Sequence, residues 1–192
     1  MSETIKIQLP ESIADITLNQ YQQFLKLQDK ADTLTEQGMA ERVISLFTGI
    51  KKQDVKKLVI SDYESIMNQI TEACSTEAKF QQRFTLNGVE YGMIPNLNDI
   101  SQGEYIDLTT LGSDMDEMHK VMAILFRPIV KADAFGNYSI ESYGDITERS
   151  KEMLECPMHI VNGSLVFFLN LLKDLKNCMA KYIVAEAQKN KQ

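Results

Sequence analysis

Tryptophan is absent from this 192-residue chain, which has two histidines, three cysteines and four prolines. Cys74, Cys156 and Cys178 are odd in number and far apart, unlike the paired framework of a small disulfide-stapled domain. They read as reduced thiols. The polar start Met1-Ser2-Glu3 reads as lacking a secretory leader, so synthesis in a cytoplasm is expected. No glycine cluster resembles a phosphate-binding loop, and no G-x-S-x-G nucleophile elbow occurs. The longest nearly apolar run, Ile160 to Leu172, contains Asn162 and Asn170 and is too short to span a bilayer. No Pro/Gly/Ser-rich linker divides the chain. One domain over 1–192 is therefore expected.

What is present is acidic and apolar in ordinary measure. A hydrophobic content of 44% suits a globular core. The formal charge of −7 argues against a general nucleic-acid binder, because such affinity comes from Lys and Arg neutralising phosphates. An acidic surface can still line a path for DNA by repelling it. Ten methionines supply adaptable packing and contact surface.

The strongest periodic signal lies near the C-terminal end, from about Pro157 to Ala187. Val161, Leu165, Phe168, Leu172, Leu175, Met179 and Tyr182 recur at intervals of four and three, one stripe of an α-helix. Val166, Phe167, Leu169 and Leu171 widen the stripe until the first half is apolar nearly all round. Pro157 suits the first helical position, where a missing N–H costs nothing. Such a stripe is a core element or an oligomer seam. Beyond about 183 the chain becomes a polar tail.

Elsewhere the pattern is mostly helical. Ile5, Ile7 and Leu9 alternate with polar residues and suggest an N-terminal strand within about 1–10, stopped by Pro10. Thr17 and Gln20 form a capping box, with Ile16 and Tyr21 placed as a hydrophobic staple. Tyr21, Phe24, Leu25 and Leu27 then face a core. The same device recurs at Ser101, Glu104 and Tyr105, with Leu108 and Leu111 echoing Phe24 and Leu27. This is either the convergence of well-capped helices or an internal duplication. A helix over Glu36–Thr48 carries Val43, Ile44 and Phe47 inward and ends at Gly49. A short polar helix at Lys51–Lys57 follows. A helix capped by Ser61 and Glu64 then carries Tyr63, Ile66, Met67 and Ile70 to about Cys74.

Arg83 to Met93 changes period. Asn87-Gly88 between alternating runs is a strong hairpin signal, a type I′ turn. A two-residue loop pairs Leu86 with Val89 and Phe84 with Tyr91, placing all four on one face. Asn87 and Gly88 form a candidate contact tip; the alternative is a hairpin that only covers its own core. Met115–Arg127 reads as a helix with Met118, Met122 and Leu125 inward and Pro128 closing it. Gly136-Asn137 before Tyr138–Ile140 suggests a second, weaker hairpin or an extended arm, and Asp145 with Glu148 caps a short helix to about Leu154. The fold class expected is mainly α, an α-rich α+β arrangement: a helical bundle with a long C-terminal helix and one or two small β-hairpins.

Chemistry is weakly represented. Cys156-Pro157-Met158-His159 has the spacing of half a zinc site, but a structural zinc needs four ligands and only Cys178 and His119 remain. A Cys–His nucleophile pair would need an orienting carboxylate and an oxyanion hole that no spacing supplies. Asp114, Asp116 and Glu117 suit a helix start, where negative charge is favourable, better than a calcium loop. Lys51, Lys52, Lys56 and Lys57 form the one basic patch, a solvated face or a contact for an acidic neighbour or nucleic acid. No catalytic residue, metal site or cofactor is expected.

Several segments carry a resemblance. Val43-Ile44-Ser45-Leu46-Phe47-Thr48-Gly49 with Leu58 and Ser61-Asp62-Tyr63 resembles small phage tail proteins, including tail assembly chaperones. So does Ile94-Pro95-Asn96-Leu97-Asn98-Asp99-Ile100 with Gly103-Glu104-Tyr105-Ile106-Asp107-Leu108. Leu125–Ile129, Tyr138–Tyr143 and Gly163–Phe168 extend the likeness over more than half the chain, in order. Together they are similar to small helical neck and tail proteins of tailed bacteriophages, most closely those of crAss-like podoviruses. The resemblance implies a structural virion component, an oligomeric ring or portal adaptor at the portal–tail junction that connects head to tail. Its expected partners are further copies of itself, twelve-fold, together with the portal protein and other neck and tail ring proteins. DNA would be only passing cargo, and no membrane is involved. The alternative is a non-virion tail assembly chaperone. The resemblance transfers no functional residue position by position.

Overall fold

The computed structural model describes residues 7–96 and 100–168. Its helices are α1 (Leu18–Gln28), α2 (Glu36–Thr48), α3 (Lys52–Val55), α4 (Ile60–Cys74), α5 (Gln102–Leu111), α6 (Met118–Leu125), α7 (Thr147–Glu152) and α8 (158–168). Four strands, β1 (Arg83–Leu86), β2 (Val89–Met93), β3 (Phe126–Ala132) and β4 (Tyr138–Ile140), form one antiparallel sheet in the order β1-β2-β3-β4. The fold is thus α-rich α+β.

Side-chain caps set the starts of α1, α2 and α5. Thr17 Oγ1 accepts from the Gln20 amide at 3.2 Å while Gln20 Oε1 accepts from the Thr17 amide at 3.0 Å, a closed capping box. Ser101 and Glu104 close a second box in the same way. The two units share the cap but not the packing: Gln22 is buried, whereas the matching position, Ile106, is half exposed. Gly49 ends α2 with φ 72°.

The α4 start differs from the expected box: Val59 is the N-cap, with no side-chain hydrogen bond, so Ser61 and Glu64 lie inside the helix. Asp145 does contribute at α7, accepting from the Thr147 amide and hydroxyl. The expected N-terminal strand is not formed in 7–10, and its remainder lies outside the described residues. Ile7 and Leu9 pack on the core without strand pairing.

The chain is organised around α6 and the strand it runs into. Residues Val121 to Arg127 are all buried. The helix expected to reach Arg127 ends at Leu125, and Phe126 is already β3. Pro128 does not close the helix; it lies within β3, opposite Tyr91, and its carbonyl accepts from the Glu141 amide at 3.0 Å. Helix α6 packs on α5, α7 and the turn at Met153–Glu155.

The C-terminal helix starts one residue later than expected, and its described part is less enveloped than expected. Pro157 O accepts the first helical bonds from Ile160 and Val161, so Pro157 sits one position before the first helical residue. Met158, Ile160, Val161 and Phe168 are buried and Leu165 partly so, but Val166 is 59% exposed. The helix is therefore not apolar-buried all round. Leu172, Leu175, Met179 and Tyr182 of the stripe, and the 183–192 tail, lie outside the described residues. A short antiparallel bridge joins Thr17 to Pro157: Leu18 N donates to Cys156 O at 2.9 Å and Met158 N to Ile16 O at 2.8 Å. It ties the start of α8 to the start of α1. Gly163 lies so close to the Lys79 carbonyl that a Cβ there would fall 2.5 Å from it, and Phe167 stacks on Phe80 beside this approach at 4.3 Å.

Candidate interaction surfaces

The hairpin at Asn87-Gly88 forms in the expected register, Leu86 with Val89 and Phe84 with Tyr91. Both turn residues have positive φ, 50° and 81°, as a type I′ turn requires. Phe84, Leu86 and Tyr91 are buried; Val89 shares their face but is 41% exposed beyond the core's edge. Phe84 stacks on Tyr91 and meets Phe126 edge-on at 5.1 Å, and the Tyr91 hydroxyl donates to Glu152 at 2.6 Å. The apolar face of this hairpin covers its own core, and its exposed tip is polar.

The second hairpin is the reverse. Between β3 and β4, Asp133 organises a five-residue turn: its carboxylate accepts from the Phe135 and Asn137 amides at 2.9 Å and from the Asn137 side chain at 2.8 Å. Gly136 completes the turn at φ 89°. This fixed scaffold presents Phe135, 91% exposed, at its apex. The register shifts between Ile129 and Lys131, leaving Val130 as an extra residue that is 62% exposed. Lys131 beside it makes no ion pair among the described residues.

A groove of about 500 Å³ lies among α2, α3 and α4. Its floor is Val55, Leu58 and Tyr63, and its rim carries Ile60, Glu36, Glu41 and Glu64. Glu41 pairs with Lys56 at 3.7 Å; Glu36 and Glu64 make no ion pair among the described residues. The Tyr63 hydroxyl is raised above its ordinary value, first by burial and then by the charges of Glu36 and Glu41. Ile60 is 76% exposed at the groove's edge, next to exposed Val59.

These two surfaces escaped the sequence reading. A bulky aromatic in a turn otherwise built of Asp, Ala, Gly and Asn was one available signal. Another was the run Leu58-Val59-Ile60, which cannot all face inward at helical spacing.

The charged side chains that sequence reading singled out serve local structure. Asp114 caps the turn before α6, and Asp116 pairs with Lys26 at 3.3 Å. Lys57 pairs with Asp54 at 2.7 Å, so with Lys56 half of the basic patch is engaged on the surface. Cys156 is fully buried, and burial pushes its thiol up to about 12. It is protonated at neutral pH and so neither a ready ligand nor a nucleophile. The imidazole of His159 is lowered by burial, and its Nδ1 has no hydrogen-bond partner among the described residues. No group of three His, Cys, Asp or Glu suited to a metal occurs among the described residues; Cys178 lies outside them.

The innermost charges are Arg127 and Glu104, 2.6 Å apart and both nearly fully buried. Glu104 also accepts from the Ser101 amide at 2.7 Å. Burial works to raise its carboxyl, but the Ser101 hydrogen bonds and the Arg127 charge outweigh this and hold it below the ordinary value. Tyr143 covers the Arg127 guanidinium at 6.0 Å and donates to Asp107. The Arg127–Glu104 pair locks α5 to β3 and is buried, while Tyr143 and Asp107 lie partly exposed over it.

No protein-family model matches the chain, and comparison with curated proteins and with solved structures returns no match. Among the described residues, no helix is long and apolar enough to cross a membrane.

Proposed function

We propose that the protein is a structural virion component of a tailed phage, an oligomeric ring at the portal–tail junction that connects head to tail. The observation that carries this reading is two apolar surfaces left open among the described residues: the Phe135 apex and the Ile60 groove. An aromatic ring held out on a fixed turn, and a groove with an apolar floor, are the kinds of surface that contacts between chains use. The net charge of −7 suits a conduit through which DNA slides without adhering. The segments that resemble phage neck proteins include core-building elements here, the α6–β3 junction and the start of α8 among them.

The test is native mass spectrometry of the full chain with the portal protein of the same phage. The expected result is an assembly holding many copies per portal, matching the portal's own symmetry. Monomers bound at substoichiometric ratio would overturn the ring.

A second reading, a tail assembly chaperone that leaves before maturation, draws on the same open groove and the methionine-rich composition. The polypeptide's presence in purified virions supports the ring; its absence, with binding to free tail subunits, supports the chaperone.

A further inference from the structure

Resting on the oligomeric reading above, we propose that the contact between copies is head-to-tail: the Phe135 apex of one copy enters the α2–α3–α4 groove of the next. The occupant is a second copy because each chain offers both halves. Phe135 is 91% exposed and so fills no site on its own chain. The turn that holds it is fixed by the three hydrogen bonds to Asp133, so little ordering is lost when it docks. The groove, at about 500 Å³, is large enough to accept an aromatic ring, and its floor is apolar.

Charge agrees with shape. Glu36 and Glu64 stand on the rim without an ion pair among the described residues, and Lys131 stands on the arm in the same condition. Lys131 stands on the same hairpin as Phe135, four residues before it, and carries the charge opposite to the rim's. A knob and a hole on different parts of one chain make a heterologous contact, which closes into a ring when the rotation between copies permits.

The test uses the full-length chain in sedimentation velocity across a concentration series. Phe135→Ser removes the knob and Ile60→Asp spoils the hole; both positions are exposed, so both variants are expected to melt like the wild type. Each alone should weaken self-association by about thirtyfold, as loss of a central aromatic anchor does. Mixed together they retain one intact knob and one intact hole, and should form a one-to-one dimer and nothing larger. Lys131→Glu should weaken association, and Glu64→Lys in the same chain should restore part of it. A photo-crosslinking residue at position 135 should label residues 36–41 or 52–64 of another copy, the segments that line the groove.

Wild-type chain that assembles while both variants assemble equally well overturns the arm-in-groove contact and leaves the ring reading standing. Labelling that falls elsewhere, including on residues 169–192, does the same. Wild-type chain that stays monomeric at every concentration, alone and with the portal, overturns both.

Discussion

At the scale of single residues, Arg127 and Glu104 have most to lose. Their separation of 2.6 Å inside the core means that neither charge can be removed alone without stranding the other. Arg127→Ala is expected to lower stability by about 3–5 kcal/mol, the usual cost of leaving a buried charge unpaired. Replacing both by Met should cost far less, since a filled apolar site needs no compensation. Acid should act through the same pair. The folded Glu104 carboxyl lies below its ordinary 4.5, so its contribution is complete above that value. It is lost as the pH falls through the lower folded value, because the unfolded chain then binds the proton more readily. Thermal midpoints measured across pH 2–6, for wild type and Glu104→Gln, check this. The wild-type curve should fall more steeply.

At the scale of elements, the two hairpins divide the work. The Asn87-Gly88 turn stabilises the sheet: Gly88 has open space around its Cβ position, so substitution there is resisted by backbone conformation alone. Gly88→Val should cost about 1–3 kcal/mol in thermal or denaturant unfolding, the range for a residue held in a disfavoured region. Gly88→Asn should cost much less, since Asn tolerates positive φ. The Phe135 hairpin behaves differently, because its apex ring touches so little of its own chain.

Among the described residues, the longest unbroken buried stretch lies centrally in the sequence. Helix α6 and the start of β3 are buried without interruption from Val121 to Arg127, and the bridge between Thr17 and Pro157 closes both ends of the described fold around them. Native-state hydrogen exchange should therefore find the slowest amides in Val121–Phe126. Those of α3 and the Lys51–Lys57 surface should exchange quickly, since fewer buried groups secure them. Slower exchange in α8 than in α6 would contradict this order.

Hydrogen bonds between near neighbours are written into short stretches of sequence, and these were legible. The Thr17–Gln20 and Ser101–Glu104 boxes need residues three apart, and the Asn87-Gly88 turn needs only the two residues that accept positive φ. The span of α2 and its Gly49 end follow from one apolar stripe and one stop signal. Tertiary structure decided what local signals leave open. The run Met122-Ala123-Ile124-Leu125-Phe126 is apolar throughout and has no period to separate helix from strand; pairing of Phe126 with Met93 draws it into the sheet and carries Pro128 along. Arg127 meets Glu104 only because the fold brings α5 against β3. Phe135 is left in solvent because the hairpin extends past the core that would have covered it. Exposure and long-range pairing are properties of the packed chain, and no window of neighbouring residues contains them.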